Sequence, residues 1–110
     1  MRFTVLINCF NYKEYLDDCI GSVLGQTRMP DAGVFVDDGS SDGSYEEAES
    51  LLKGDFSIKM VRKENGGQLS AFQAGIEEAT GEWIFFLDAD DRYRDDHLEL
   101  MEKAISENKS

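Results

Sequence analysis

Residues 81–91 read GEWIFFLDADD. Five apolar residues, Trp83 to Leu87, run straight into three aspartates, Asp88, Asp90 and Asp91, spaced D-x-D-D. The run is too short to span a membrane and has the length of a buried strand. A strand that ends in carboxylates at the mouth of a sheet suits a hard divalent cation. Mg²⁺ and Mn²⁺ take oxygen ligands, commonly one or two carboxylates plus substrate phosphates. Asp88 and Asp90 reach a common ion if the backbone turns between them. A calcium loop counted from Asp88 is excluded: Tyr93 stands where glycine is required, and Arg92 where an oxygen ligand is required.

Upstream, apolar runs of strand and helix type alternate. Phe3 to Ile7 reads as a buried strand leaving through the loop Asn8-Cys9-Phe10-Asn11. From Lys13, the residues Leu16, Ile20, Val23 and Leu24 recur at helical spacing, and the helix should end near Gly25-Gln26-Thr27, before Pro30. Gly33 to Val36 is a second buried strand. It enters Asp37-Asp38-Gly39-Ser40-Ser41-Asp42-Gly43, where Ser41 or Asp42 is the expected helix cap. A helix with Tyr45, Ala48, Leu51 and Leu52 on one face closes at Gly54-Asp55. Ser57 to Arg62 alternates as an edge strand does. After the turn Asn65-Gly66-Gly67, Leu69, Phe72, Ile76 and Ala79 define a helix face that Gly81 ends. Leu98, Met101 and Ile105 mark a last helix, which frays into a polar tail at Ser106 to Ser110.

Strict alternation of strand and helix predicts an α/β fold: a parallel four-stranded sheet with helices on both faces. Ligands of such sheets bind beyond the carboxyl ends of the strands, where the strand order reverses. An order of 3-2-1-4 puts the loops 8–11, 37–42 and 88–91 around one crevice.

A chain of 110 residues forms one domain with a single modest core. Its net charge of −12 argues against nucleic acid or an anionic membrane surface as partner. Part of that charge is gathered at Asp37, Asp38, Asp42, Asp88, Asp90 and Asp91, where carboxylates repel unless a cation or donor compensates. Cys9 and Cys19 are too few for a disulfide framework and lack a metal-ligand spacing, so both are expected reduced. With no signal peptide and no apolar stretch of membrane length, the expected compartment is cytoplasmic.

Each acidic motif taken singly is as well explained by helix capping or chance. His97, alone in the last helix, reads as a surface residue, and no dinucleotide or triphosphate fingerprint follows any strand. The succession is more specific. VDDGSSDGS, then ENGGQLSAFQAGIEEATGEW, then FFLDADD, preceded by FNYKEYLDDCIGSVLGQT, resembles the family-2 glycosyltransferases of the GT-A fold over essentially the whole chain.

That resemblance implies a Rossmann-like N-terminal half of a GT-A fold that binds a nucleotide-sugar, typically a UDP-sugar, with Mn²⁺ or Mg²⁺. Asp38 matches the residue that contacts the base, and Asp37 its partner, which shapes the turn. Phe10 stands where the family has tyrosine and stacks on the base, with Asn11 beside it. Asp88 matches the first aspartate of the D-x-D motif, near ribose and metal, and Asp90 the second, which coordinates the metal bridging the diphosphate. The loop Asn65-Gly66-Gly67 matches a segment beside the donor. The chain departs from the family pattern in carrying Asn8-Cys9 for Pro-Thr and Asp95 for the proline that starts the following helix. Family members also continue well beyond this length. The missing half carries the acceptor site, for a saccharide or lipid-linked acceptor, and the base of an inverting transfer, so this chain is expected to bind donor and turn over little. The strand 83–87 then keeps a bare outer edge, through which two copies are expected to pair. Two rival readings are a receiver-type signalling domain, which lacks its lysine here, and a non-catalytic interaction module.

Overall fold

The computed structural model describes residues 1–54, 57–79 and 82–108. Four strands, β1 (Phe3–Cys9), β2 (Ala32–Asp37), β3 (Ser57–Arg62) and β4 (Trp83–Asp88), pair in parallel in the order β3-β2-β1-β4. Between and after them lie α1 (Leu16–Leu24, preceded by a single 3₁₀ turn, Lys13–Tyr15), α2 (Ser44–Leu51), α3 (Gln68–Glu78) and α4 (His97–Glu107). The fold class is the one expected from the alternation, and the strand order is the expected 3-2-1-4, under which the three loops share one crevice. The register sets Cys9 against Asp37, Asn8 against Asp88, and Asp37 against Arg62, so the strands end level.

Period-two alternation gives the sheet two unequal faces. Phe3, Val5, Ile7 and Cys9 of β1 pack with Leu16, Ile20 and Val23 of α1, Ala48 of α2 and Leu98 of α4. Leu6, Val34 and Val36 face α3, which meets them through Ala71. Each fully buried Val, Leu or Ile contributes roughly 1.5–3 kcal/mol, so the first cluster carries most of the stability.

The expected face of α3 is not the buried one. Leu69 is 72% exposed and Ile76 47% exposed, whereas Ala71 and Gly75 are buried. The helix lies so close to the sheet that a Cβ on Gly75 would stand 2.6 Å from Leu6 Cδ1. Only small side chains fit that approach. The bulky stripe is turned to the flank, where Phe72 packs edge-to-face on Phe86 at 5.1 Å.

The strand expected at 83–87 lies at the edge, as the order 3-2-1-4 requires, but it is less buried than expected. Trp83 is 41% and Phe86 48% exposed, and only Leu87 of the apolar run is buried. Its composition suits an interior position, but among the described residues β1 is its one neighbour in the sheet.

Boundaries shift for local reasons. Asn8 and Cys9 belong to β1 because both pair across the ladder. The cap of α2 is Gly43, and Asp42 accepts the Ser44 N–H at 3.0 Å from one position further out. α4 starts at His97, two residues after Asp95, with Asp96 at its cap. His97 is partly buried and stacked on Tyr93 at 4.4 Å. Both cysteines are buried and unbridged. The expected helix stops at Asp55 and Gly81, and the tail residues Lys109 and Ser110, lie outside the described residues. Among the described residues, no helix is long and apolar enough to cross a membrane.

Candidate functional site

The level strand ends present three loops side by side. After β1, Phe10 projects with 42% of its surface exposed. Asn11 follows in the left-handed region (φ 58°), which asparagine tolerates better than most residues. Its N–H donates to Ser40 Oγ, and its Oδ1 accepts from the Ser41 N–H, both at 2.8 Å. The first loop is thereby clipped to the second.

After β2 the two aspartates diverge. Asp37 is fully buried; its Oδ2 accepts the Ser40 N–H at 3.0 Å, and Arg62 Nε lies 4.0 Å away. Asp38 reaches the loop after β3. Its Oδ1 accepts from Lys63 Nζ at 2.7 Å and from the Gly66 N–H at 3.1 Å, and its Oδ2 from the Gly67 N–H at 3.0 Å. Burial alone would raise its pKa, but the Lys63 ammonium and the two glycine amides outweigh that and hold it below the usual carboxylate range. Gly39 (φ +86°) is needed at this junction, since a Cβ there would stand 2.7 Å from Asn65 N.

After β4 the carboxylates of Asp88, Asp90 and Asp91 bring one oxygen each within 4.8 Å of one another. Gln68 Nε2, at the start of α3, donates to Asp88 Oδ1 at 3.4 Å. No lysine or arginine of the described residues forms an ion pair with any of the three. Clustered hard oxygen donors without a protein counter-charge fit a divalent cation of the Mg²⁺ or Mn²⁺ type.

The loops enclose a hollow of about 360 Å³ lined by Asn8, Phe10, Tyr12, Asp38, Asn65, Gly67, Gln68, Asp88 and Asp90. That volume lies at the lower end of small-molecule sites. A depression of about 480 Å³ over Arg92 to Asp96 is larger, but five consecutive residues line it, so it is the crease of one loop. The smaller hollow is where separate elements converge.

The Glycosyl transferase family 2 profile matches residues 4–110. The chain belongs to that family. It is 42% identical over 100 residues to an uncharacterized glycosyltransferase of Nostoc sp., covering 90% of this chain and 31% of the relative. The crystal structure of S. aureus TarS 1-349 superposes with a TM-score of 0.88 at 26% identity, over 97% of this chain and 33% of that one. The same protein in complex with UDP-GlcNAc superposes equally well, with a TM-score of 0.88 at 26% identity, over 97% of this chain and 32% of that one. The four-stranded order and its helices are thus those of the corresponding part of a GT-A glycosyltransferase. The chain spans about a third of the length of these relatives.

Of the residues singled out from sequence, Phe10, Asp38, Gly67, Asp88 and Asp90 line the hollow. Asn11 and Asp37 stand behind it and brace the loops, and Gly66 spends its amide on Asp38. Asn8 and Asn65, from segments expected beside the crevice, also line the hollow, and Tyr12 and Gln68 line it without having been anticipated. Gln68 had a signal: as the first residue of a helix that follows a glycine turn at the carboxyl edge, it had to face the strand tips.

Proposed function

We propose that this domain binds the nucleotide-sugar donor of a glycosyltransferase, a UDP-sugar with Mn²⁺ or Mg²⁺, for transfer to an acceptor hydroxyl in the whole protein. The observation that carries the reading is the convergence of Phe10, Asp38, Asp88 and Asp90 from three loops on one hollow. Phe10 offers an exposed ring on which a base stacks. Asp38, anchored by Lys63 and the Gly66–Gly67 amides, accepts the imide N–H of a uracil with its remaining lone pair. Asp88 and Asp90 hold the cation, and Asp91 completes the oxygen cluster. A divalent ion bound there supplies positive charge to the diphosphate as it leaves. Gln68, beside Asp88, orients that carboxylate. The complex of TarS with UDP-GlcNAc supports the donor class by likeness.

The acceptor, a saccharide or lipid-linked hydroxyl, and the base that activates it in an inverting transfer, are assigned to the remainder of the whole protein, on the cytoplasmic side. This domain alone binds donor and turns over little. Titration calorimetry with UDP and Mn²⁺ tests the reading. Metal-enhanced UDP binding is expected, and absence of binding at millimolar metal overturns it.

The bare edge of β4 is the surface through which we expect two copies to pair. Trp83 N donates to Arg2 O at 3.2 Å and Ala89 N to Asn8 O at 2.9 Å, so Ile84 and Phe86 turn their backbone groups outward. Tyr93 Oη already donates to Phe86 O at 2.7 Å, which leaves Ile84 as the open point. Two such edges related by a two-fold axis complete each other's ladder and cover Phe86 and the α3 stripe. A monomer by light scattering at high concentration ends this reading.

A further inference from the structure

One side of α1 and the turn that follows it carry a rail of polar side chains that grips the segment 88–98. Cys19, Ser22 and Gln26 recur at helical spacing and are 0%, 5% and 5% exposed. The Cys19 thiol lies 3.8 Å from Asp88 O. Ser22 Oγ accepts the Tyr93 N–H at 3.0 Å while donating to Cys19 O at 2.6 Å. Gln26 makes the most bonds. Its Nε2 donates to Arg94 O at 2.6 Å and Ser22 O at 2.9 Å, and its Oε1 accepts the Leu98 N–H at 2.9 Å. The next residue adds a backbone bond, from Thr27 N to Asp95 O at 2.9 Å.

A buried amide that satisfies three backbone groups is costly to lose, because each orphaned group keeps its desolvation penalty. A helix needs little of this to end. What the rail fixes is the path of the chain from the metal cluster into α4. Ala89, fully buried in the core, pins the segment at one end, and Leu98, also fully buried, pins it at the other. Asp90 and Asp91 project from the span between, and their side chains meet no cation of the described residues. Their position therefore depends on how the backbone is held from below.

We propose that Gln26, with Ser22, is a positioning residue for the metal cluster: through Arg94 O, Leu98 N and Tyr93 N it holds the Asp88–Asp91 turn so that its carboxylates converge on one ion. The proposal rests on the metal-binding reading above. Outer groups that orient metal ligands typically contribute 10- to 100-fold to metal affinity.

The test is Mn²⁺ affinity, read from the loss of the free-ion electron paramagnetic resonance signal. Gln26→Ala is expected to weaken Mn²⁺ by roughly tenfold while leaving UDP binding without metal unchanged. Gln26→Glu, which keeps the acceptor for Leu98 N and loses the donor to Arg94 O, is expected to fall between, and serves if the alanine variant does not fold. Val34→Ala, in the opposite cluster against α3, supplies a comparable loss of stability at a distance. If either Gln26 variant binds Mn²⁺ as the unaltered chain does, or no worse than Val34→Ala, Gln26 is merely structural and the proposal falls. If the unaltered chain binds no Mn²⁺ at all, the metal reading falls, and this inference with it.

Discussion

The turns after β2 and β4 both present adjacent aspartates at a strand tip, yet they are built in opposite ways. Asp38 is 3% exposed, and Lys63 and two backbone amides occupy its oxygens. Asp90 and Asp91 are exposed, and neither pairs with a basic side chain of the described residues. The first turn has its counter-charge built in and acts as a finished acceptor. The second is left with clustered negative charge and no basic partner among the described residues. The same residue type thus has its partners supplied by the protein in one place and lacks them in the other, and the difference lies in what the neighbouring loop donates.

Substitutions that separate binding from stability break the comparison most sharply. Asp90→Ala is expected to weaken metal-dependent UDP binding by about 100-fold, at the upper end of what disturbing a metal's surroundings costs. Its Tm should not fall, because an exposed carboxylate among like charges contributes nothing favourable to the fold. Calorimetry and a thermal melt on the same sample check both halves. If Asp90→Ala lost stability and kept its metal dependence, the two turns would not differ in kind.

Asp38→Ala should show the reverse emphasis. It strands the Lys63 ammonium and the Gly66 and Gly67 amides, a loss of about 2 kcal/mol by the usual cost of orphaned partners. A fall in the denaturation midpoint with the m-value unchanged would register it. Nucleotide affinity should fall as well, with or without metal. Asp38→Asn, which keeps one acceptor oxygen, should recover part of the stability.

Phe10→Ala is the next smaller effect. With 42% of its surface exposed, the ring contributes little to the core, so stability should hold. Loss of stacking is expected to cost about 1 kcal/mol of UDP affinity, roughly fivefold, equally with and without Mn²⁺. Phe10→Tyr should bind as the unaltered chain does.

The contrast between the turns also marks what the sequence made legible. The alternation of strand and helix carried the fold class, because period-two and helical patterns are set by the backbone itself, whereas the strand order entered as the arrangement that brings the three loops to one crevice. Phe10, Asp38, Asp88 and Asp90 were legible by position, because each stands at or just beyond the end of an apolar run, but their roles came only with the resemblance to family-2 glycosyltransferases. The rest depended on tertiary approach. Nothing local shows that Lys63, outside any motif, closes onto Asp38, since that contact spans 25 residues. The face of α3 was misread for the same reason: Gly75 scores as a weak helix residue, yet its missing Cβ is what admits Leu6 and Val36. Trp83 to Leu87 read as buried because composition records apolarity and not how much of it the neighbours cover.

The smallest expected effect is on acid stability, and it bears on the finished turn alone. Asp38 has its folded-state pKa held below the usual carboxylate range, by Lys63 and the Gly66 and Gly67 amides against the upward pull of burial. In the unfolded chain the same group titrates near 3.9, roughly. A carboxylate depressed in the folded state contributes stability that is fully present above its unfolded pKa and is lost as pH falls through its folded pKa. The stability difference between the unaltered chain and Asp38→Ala should therefore be constant above about pH 5 and shrink below about pH 4. Asp31 and Asp42 are also depressed, the first chiefly by the Phe3 N–H, the second by Ser44 and Lys13 against burial. Both remain in the variant, so subtracting the two pH profiles cancels them and isolates Asp38. A difference independent of pH from 7 down to 3 would mean that the carboxylate's charge contributes nothing, and that the loop after β3 is held by packing instead.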